Sequence, residues 1–86
     1  MISNASECAE LAEWLTTKVA GYLNVPPHTI DAHTPLADCG IDSVAGIRLC
    51  TDLQCEKGFI VDTTIVWDYP TIDAIATYLI AEQEAP

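Results

Sequence analysis

The sequence predicts an all-α domain, a four-helix bundle of three main helices and one short helix. Three observations carry the prediction. Apolar residues recur at helical spacing in three separate segments. Alternating polar and apolar strand patterns are nearly absent. The periodic segments are joined by one long and two short connections, punctuated by proline and glycine, as a small bundle requires.

The first helix is expected from about Ser6 to Leu23. Cys8, Leu11, Ala12, Leu15, Val19 and Tyr22 form one stripe, with Glu7, Glu10, Glu13 and Thr17 outside it. Asn4 or Ser6 is suited to cap it. Between Asn24 and Ile41, Pro26, Pro27 and Pro35 forbid a long helix, because proline lacks an N–H and restricts the residue before it. An ordered loop packed by Val25, Ile30 and Leu36 is expected there.

The second main helix should begin at Asp42 or Ser43 and end near Lys57. Gly58 falls at the C′ position, and Lys57 complements the negative end of the helix dipole. Asp62 or Thr63 can cap a short helix running through Trp67, and Tyr69-Pro70 breaks the chain before a last helix starting at Thr71. Its stripe is Ile72, Ile75, Ala76 and Leu79.

At 86 residues, half of them apolar, the chain has room for one domain, 1–86, with its folded core at about 5–82 and short frayed ends near Met1 and Pro86. Three basic residues, Lys18, Arg48 and Lys57, stand against thirteen carboxylates, for a net charge of −10. Such a surface repels nucleic acid and anionic membranes and steers towards basic protein surfaces. No segment has the length and apolarity of a membrane span or the pattern of a signal peptide, so a cytoplasmic address is expected. Cys8, Cys39, Cys50 and Cys55 lack Cys-x-x-Cys spacing and read as small reduced apolar residues.

On a helical wheel the second main helix divides its apolar residues. Leu49, Cys50 and Leu53 face one way; Val44 and Ile47 face roughly opposite, beside Arg48 and Thr51. The first group is the expected core face. The second is either an exposed docking surface or a face covered by the long loop. Gly46 inside this helix costs up to about 1 kcal/mol relative to alanine unless close packing needs it. The helix start offers unpaired N–H groups and a positive dipole end, so a phosphate attached to Ser43 would be locally stabilised. A serine at a helix start is nevertheless usually an ordinary cap.

The stretch Leu36-Ala37-Asp38-Cys39-Gly40-Ile41-Asp42-Ser43-Val44 is similar to the L-x-D-x-G-[IL]-D-S-[LVI] signature of acyl carrier proteins. Downstream, Val66-Trp67-Asp68-Tyr69-Pro70-Thr71-Ile72 resembles a box found at similar distance in carrier domains of polyketide synthases. The resemblance extends over nearly the whole chain. It implies an acyl-carrier-like bundle in which Ser43 receives 4′-phosphopantetheine from coenzyme A. A phosphopantetheinyl transferase would attach it, and the Mg²⁺ of that step would belong to the transferase, leaving no metal site here.

The resemblance further implies a non-catalytic, monomeric carrier. The thiol of the arm would hold acyl or polyketide intermediates as thioesters and deliver them at high local concentration to a ketosynthase, an acyltransferase or acyl ligase, and other synthase enzymes. Asp42 would help the transferase engage the serine, and Val44 and Ile47 match partner-contacting positions. Arg48 departs from the family's frequent glutamate, which implies a restricted partner set, while Asp52 and Glu56 remain as acidic contacts. Peptidyl carriers typically show Gly-Gly-[His/Asp]-Ser, so Gly40-Ile41-Asp42-Ser43 favours acyl cargo.

Rival readings fit less well. A Ser-His-Asp hydrolase needs a Gly-x-Ser-x-Gly elbow on a sheet, and His28 and His33 lie in the proline-containing loop. A calcium loop starting at Asp31 would place His33, Pro35 and Ala37 where oxygen ligands belong. A carrier-like module that is never modified and only binds partners is the remaining rival, and the intact Asp42-Ser43 pair argues against it.

Overall fold

The computed structural model describes residues 4–84, with side chains from 7 to 82. Regular structure among the described residues is entirely helical. Helix α1 spans Asn4–Leu23, and a 3₁₀ turn covers Pro27–Thr29. One-turn helix α2 is Leu36–Cys39, and α3 is Ser43–Asp52, extended by a π turn over Leu53–Lys57. Short α4 is Ile65–Asp68 and α5 is Ile72–Glu84. The expected three main helices and one short helix are all present, with α2 added inside the long connection.

Helix α1 already includes both Asn4 and Ser6, whose side chains lie outside the described ones, as do the ends near Met1 and Pro86. Its other end closes on Asn24, which turns left-handed at φ 59°. The N–H of Asn24 returns to the Gly21 carbonyl (3.3 Å) and that of Val25 to the Ala20 carbonyl (3.0 Å). This turn carries Val25 outward. Val25 is exposed rather than packing the loop as expected, whereas Leu36 is buried and Ile30 leans on the core.

The core follows the expected stripes, with Cys8, Ala12 and Tyr22 only partly buried and with Ala20 and Ile80 buried in addition. Leu11, Leu15 and Val19 of α1 pack with Leu49, Cys50 and Leu53 of the α3 segment and with Ile72, Ile75, Ala76 and Leu79 of α5. Thr71 caps α5, its Oγ1 accepting from the Ala74 N–H at 3.0 Å. Helix α4 starts one or two residues later than expected. Its cap is Thr64, without a side-chain bond to the helix N–H groups, because Ile65 and Val66 must both turn into the core. The Asp62 carbonyl serves there instead, accepting from the Ile65 N–H (3.1 Å) and from the Cys50 thiol (3.3 Å).

The long connection is tied down at two points. The Leu36 N–H bonds the Pro70 carbonyl (2.7 Å), and the Asp73 N–H bonds the Ala32 carbonyl (3.0 Å). These links fix the segment that leads into α3 against the α4–α5 junction.

Candidate functional site

Helix α3 starts where two buried side chains fix the chain. Leu36 and Ile41 are both core residues. Between them α2 closes on Gly40 at φ 108°, with the Gly40 N–H on the Ala37 carbonyl (3.3 Å) and the Ile41 N–H on the Leu36 carbonyl (3.0 Å). A side chain at Gly40 would be strained by that φ and would meet the Leu23 Cδ2 atom at 3.3 Å. Asp42 and Ser43 therefore leave the core at a set position and are exposed to solvent.

The capping role belongs to Asp42. Its Oδ1 accepts from the Ala45 N–H at 2.9 Å, and its carbonyl accepts from the Gly46 N–H at 2.9 Å. Ser43 is the first helical residue, exposed, and its hydroxyl makes no hydrogen bond among the described residues. The ordinary explanation for a serine at a helix start is thereby removed, and the hydroxyl is left available. At the first two helical positions the N–H groups of Ser43 and Val44 have no place in the helix ladder, so an anion on Ser43 Oγ would meet donors and the positive dipole end.

One face of α3 is sealed and the other is open. Gly46 is buried because α4 presses on it: a Cβ there would lie 2.9 Å from Val66 Cγ2. The close-packing explanation for this glycine therefore holds. On the outer face Val44 is 74% exposed and Ile47 51% exposed, so the long loop does not cover them. Arg48 and Thr51 are exposed beside them, with Thr51 Oγ1 donating to the Ile47 carbonyl at 3.2 Å. Trp67 of α4, the residue after Val66, is 51% exposed. Sequence periodicity gives no reason to separate Trp67 from its buried neighbours; its place in a four-residue helix decides its exposure.

Asp52 lies at the seam with α1, lining with Arg48 and Tyr22 one surface pocket, and Glu56 is exposed one turn further on. Tyr22 of α1 donates its hydroxyl to Asp52 Oδ2, and the Lys18 ammonium pairs with Glu56 and lies 3.9 Å from Asp52. Burial, then the bond to Asp52, push the Tyr22 phenol well above its usual range. Lys18, Lys57 and Arg48 all rest on aromatic rings. Lys18 and Lys57 lie 5.4 and 5.6 Å from the centre of the Trp14 ring, and Arg48 lies 5.5 Å from that of Tyr22. Periodicity places Tyr22 on the α1 stripe but does not reveal its contacts with Arg48 and Asp52, because partners on another helix leave no periodic trace.

The apolar residues around α4 and α5 do not line one internal cavity among the described residues. Ile65 and Leu79 are core, while Ile60 is 87% exposed. His28 and His33 are both exposed, and His33 Nδ1 lies 4.0 Å from Asp73.

Residues 13–79 match the family model described as phosphopantetheine attachment site. Over its whole length the chain is 31% identical to part of a phenolphthiocerol/phthiocerol polyketide synthase of Mycobacterium tuberculosis, of which it spans 5%. Among solved structures it is similar to a free-standing peptidyl carrier protein from Acinetobacter baumannii, at 33% identity and a TM-score of 0.87, covering 91% of this chain and 98% of that one. It is also similar to the acyl carrier protein LipD from Actinoplanes friuliensis, at 36% identity and a TM-score of 0.74, covering 100% and 96%.

Proposed function

Since the chain belongs to the phosphopantetheine attachment-site family, we propose that Ser43 is the residue through which it carries its arm. Members of this family hold 4′-phosphopantetheine covalently and are non-catalytic, and the chain functions as an acyl carrier domain. The observation that supports Ser43 is the division of labour at the start of α3. Asp42 caps the helix, Ile41 anchors it, and the exposed Ser43 hydroxyl between the cap and the outer face is left without a structural task. The arm's terminal thiol supplies thioester chemistry. The chain's own residues hold the attachment point rigid, stabilise the phosphate through the helix N-terminus, and present Val44, Ile47 and Arg48 to whatever docks.

The cargo we infer is an acyl or polyketide intermediate, from the likeness to a polyketide synthase. The partners that follow are a phosphopantetheinyl transferase using coenzyme A, a ketosynthase, and an acyltransferase or acyl ligase. A peptidyl cargo is the second reading, favoured by the likeness to the Acinetobacter carrier. The two separate when the charged arm is offered to a ketosynthase or to a condensation enzyme.

The first test is intact mass after incubation with coenzyme A, Mg²⁺ and a broad-specificity transferase. The parent chain is expected to gain one phosphopantetheine and Ser43→Ala none. A folded parent that gains nothing from several transferases would instead be a carrier-like interaction module.

A further inference from the structure

The end of the bundle remote from Ser43 carries a second apolar surface. The π turn closes on Gly58 at φ 77°, with the Gly58 N–H on the Gln54 carbonyl (3.2 Å) and the Phe59 N–H on the Leu53 carbonyl (3.2 Å). That closure lays Phe59 against the core and turns Ile60 outward, where it is 87% exposed. Two shallow hollows meet on Lys57 and Phe59. One runs over Leu11 and Ile80 to Glu7 and Glu10, the other past Ile60 to Glu82. At about 280 and 370 Å³ they lie at the small end of small-molecule sites, a size that suits side chains of a protein segment. Lys57 rests on the Trp14 ring, and among the described residues neither it nor Glu7, Glu10 or Glu82 makes an ion pair.

We infer that this groove docks a basic and apolar segment of a partner protein, and that it does so far enough from Ser43 to leave the outer face of α3 free. Three unpaired carboxylates around an apolar strip are complemented by cations flanking apolar side chains. The same charges disfavour the other occupants. A second copy would set carboxylate against carboxylate, and nucleic acid or an anionic membrane would be repelled. Lys57 ends the helical segment that Ser43 starts, so the two lie about 20 Å apart at a rise of about 1.5 Å per residue. A segment bound at this end tethers the domain without touching the attachment point, and raises the effective concentration of the arm at an enzyme on the other face. That consequence rests on the carrier reading above; the groove itself does not.

The probe is a labelled synthetic peptide designed as an amphipathic helix, with leucines on one face and lysines along its edges, beside a counterpart carrying glutamate in place of lysine. Binding to the phosphopantetheinylated chain is read by fluorescence anisotropy and located by amide chemical-shift mapping. The lysine peptide is expected to bind and to shift amides around Glu7, Phe59 and Ile60, and the glutamate peptide to leave them unmoved. Ile60→Ser, a change at an exposed position that leaves the fold intact, should weaken binding by about tenfold. Glu10→Gln with Glu82→Gln should weaken it by about threefold at low salt, the difference fading as salt rises. Val44→Ser should change nothing. Shifts confined to the outer face of α3, absence of binding, or equal binding of the two peptides would overturn the inference. Sedimentation as a dimer that Ile60→Ser dissociates would assign the groove to a second copy and overturn it too. A chain that gains no phosphopantetheine mass fails at the carrier reading alone, since the peptide is still measured on the unmodified chain.

Discussion

The two faces of α3 differ in what they do with the same kinds of residue. Inward, Leu49, Cys50 and Leu53 are buried, and Gly46 gives up its side chain so that Val66 can approach. Outward, Val44 and Ile47 are left in water next to Ser43 and Arg48. Burying Val44 and Ile47 would gain stability, on the order of 1.5–3 kcal/mol for each aliphatic side chain. Their exposure leaves that gain unused, and it supports the proposal that this part of the helix meets partners outside the chain. On that proposal stability and docking occupy opposite sides of one helix and should be separable by substitution.

The largest expected effect tests that separation directly. Leu53→Ala removes a fully buried side chain from the junction of the α-helix and the π turn, and should cost about 2–5 kcal/mol in denaturant unfolding. Val44→Ala on the outer face should cost less than about 0.5 kcal/mol. A similar loss in both would mean that the outer face is covered in solution and that the comparison fails.

The inner face was legible in the sequence because burial repeats with the helical period. Leu11, Leu15, Val19, Leu49, Leu53, Ile72, Ile75 and Leu79 all fall where spacing puts them. The start of α3 was legible for a chemical reason, since Asp42 is a good cap and Gly58 a good stop. What could not be read depends on partners distant in sequence. Whether the long loop covers Val44 and Ile47 is settled by where Leu36 and Ile41 anchor that loop, and the bonds of Asp52 and Glu56 by Tyr22 and Lys18 on another helix. Helix α2 is four residues long, too short to show a period, and the exposure of Val25 follows from a left-handed turn at Asn24 that no apolar pattern marks.

Gly46→Ala sharpens the comparison at the point where the inner face is tightest. On an open helix surface this change would stabilise by about 1 kcal/mol. Here the added Cβ meets Val66 Cγ2 at 2.9 Å, and Val66 is a stiff β-branched residue in the core, so overpacking should win with a net loss of about 1–2 kcal/mol. Val66→Ala in the same chain should recover part of that loss, giving a coupling of about 1 kcal/mol in a double-mutant cycle. At the helix start, Asp42→Ala should cost about 1 kcal/mol through loss of the bond to the Ala45 N–H. Asp42→Asn keeps the cap and should leave thermal unfolding nearly unchanged while slowing modification of Ser43 by the transferase.

The smallest effect lies on the seam between α1 and the far side of α3, and it appears only in alkali. Tyr22 donates to Asp52 from a partly buried site, so its phenol stays protonated to a higher pH in the folded chain than the value of about 10 expected when unfolded. At neutral pH the phenol is neutral in both states. As pH rises past about 10 the unfolded chain releases this proton first, so stability that is whole below that value declines as pH climbs through the folded value. Thermal unfolding followed from about pH 8 to about pH 11 should show a steeper alkaline decline for the parent than for Tyr22→Phe, the two curves running parallel below about pH 9. Parallel curves throughout would place Asp52 outside the reach of Tyr22 in solution.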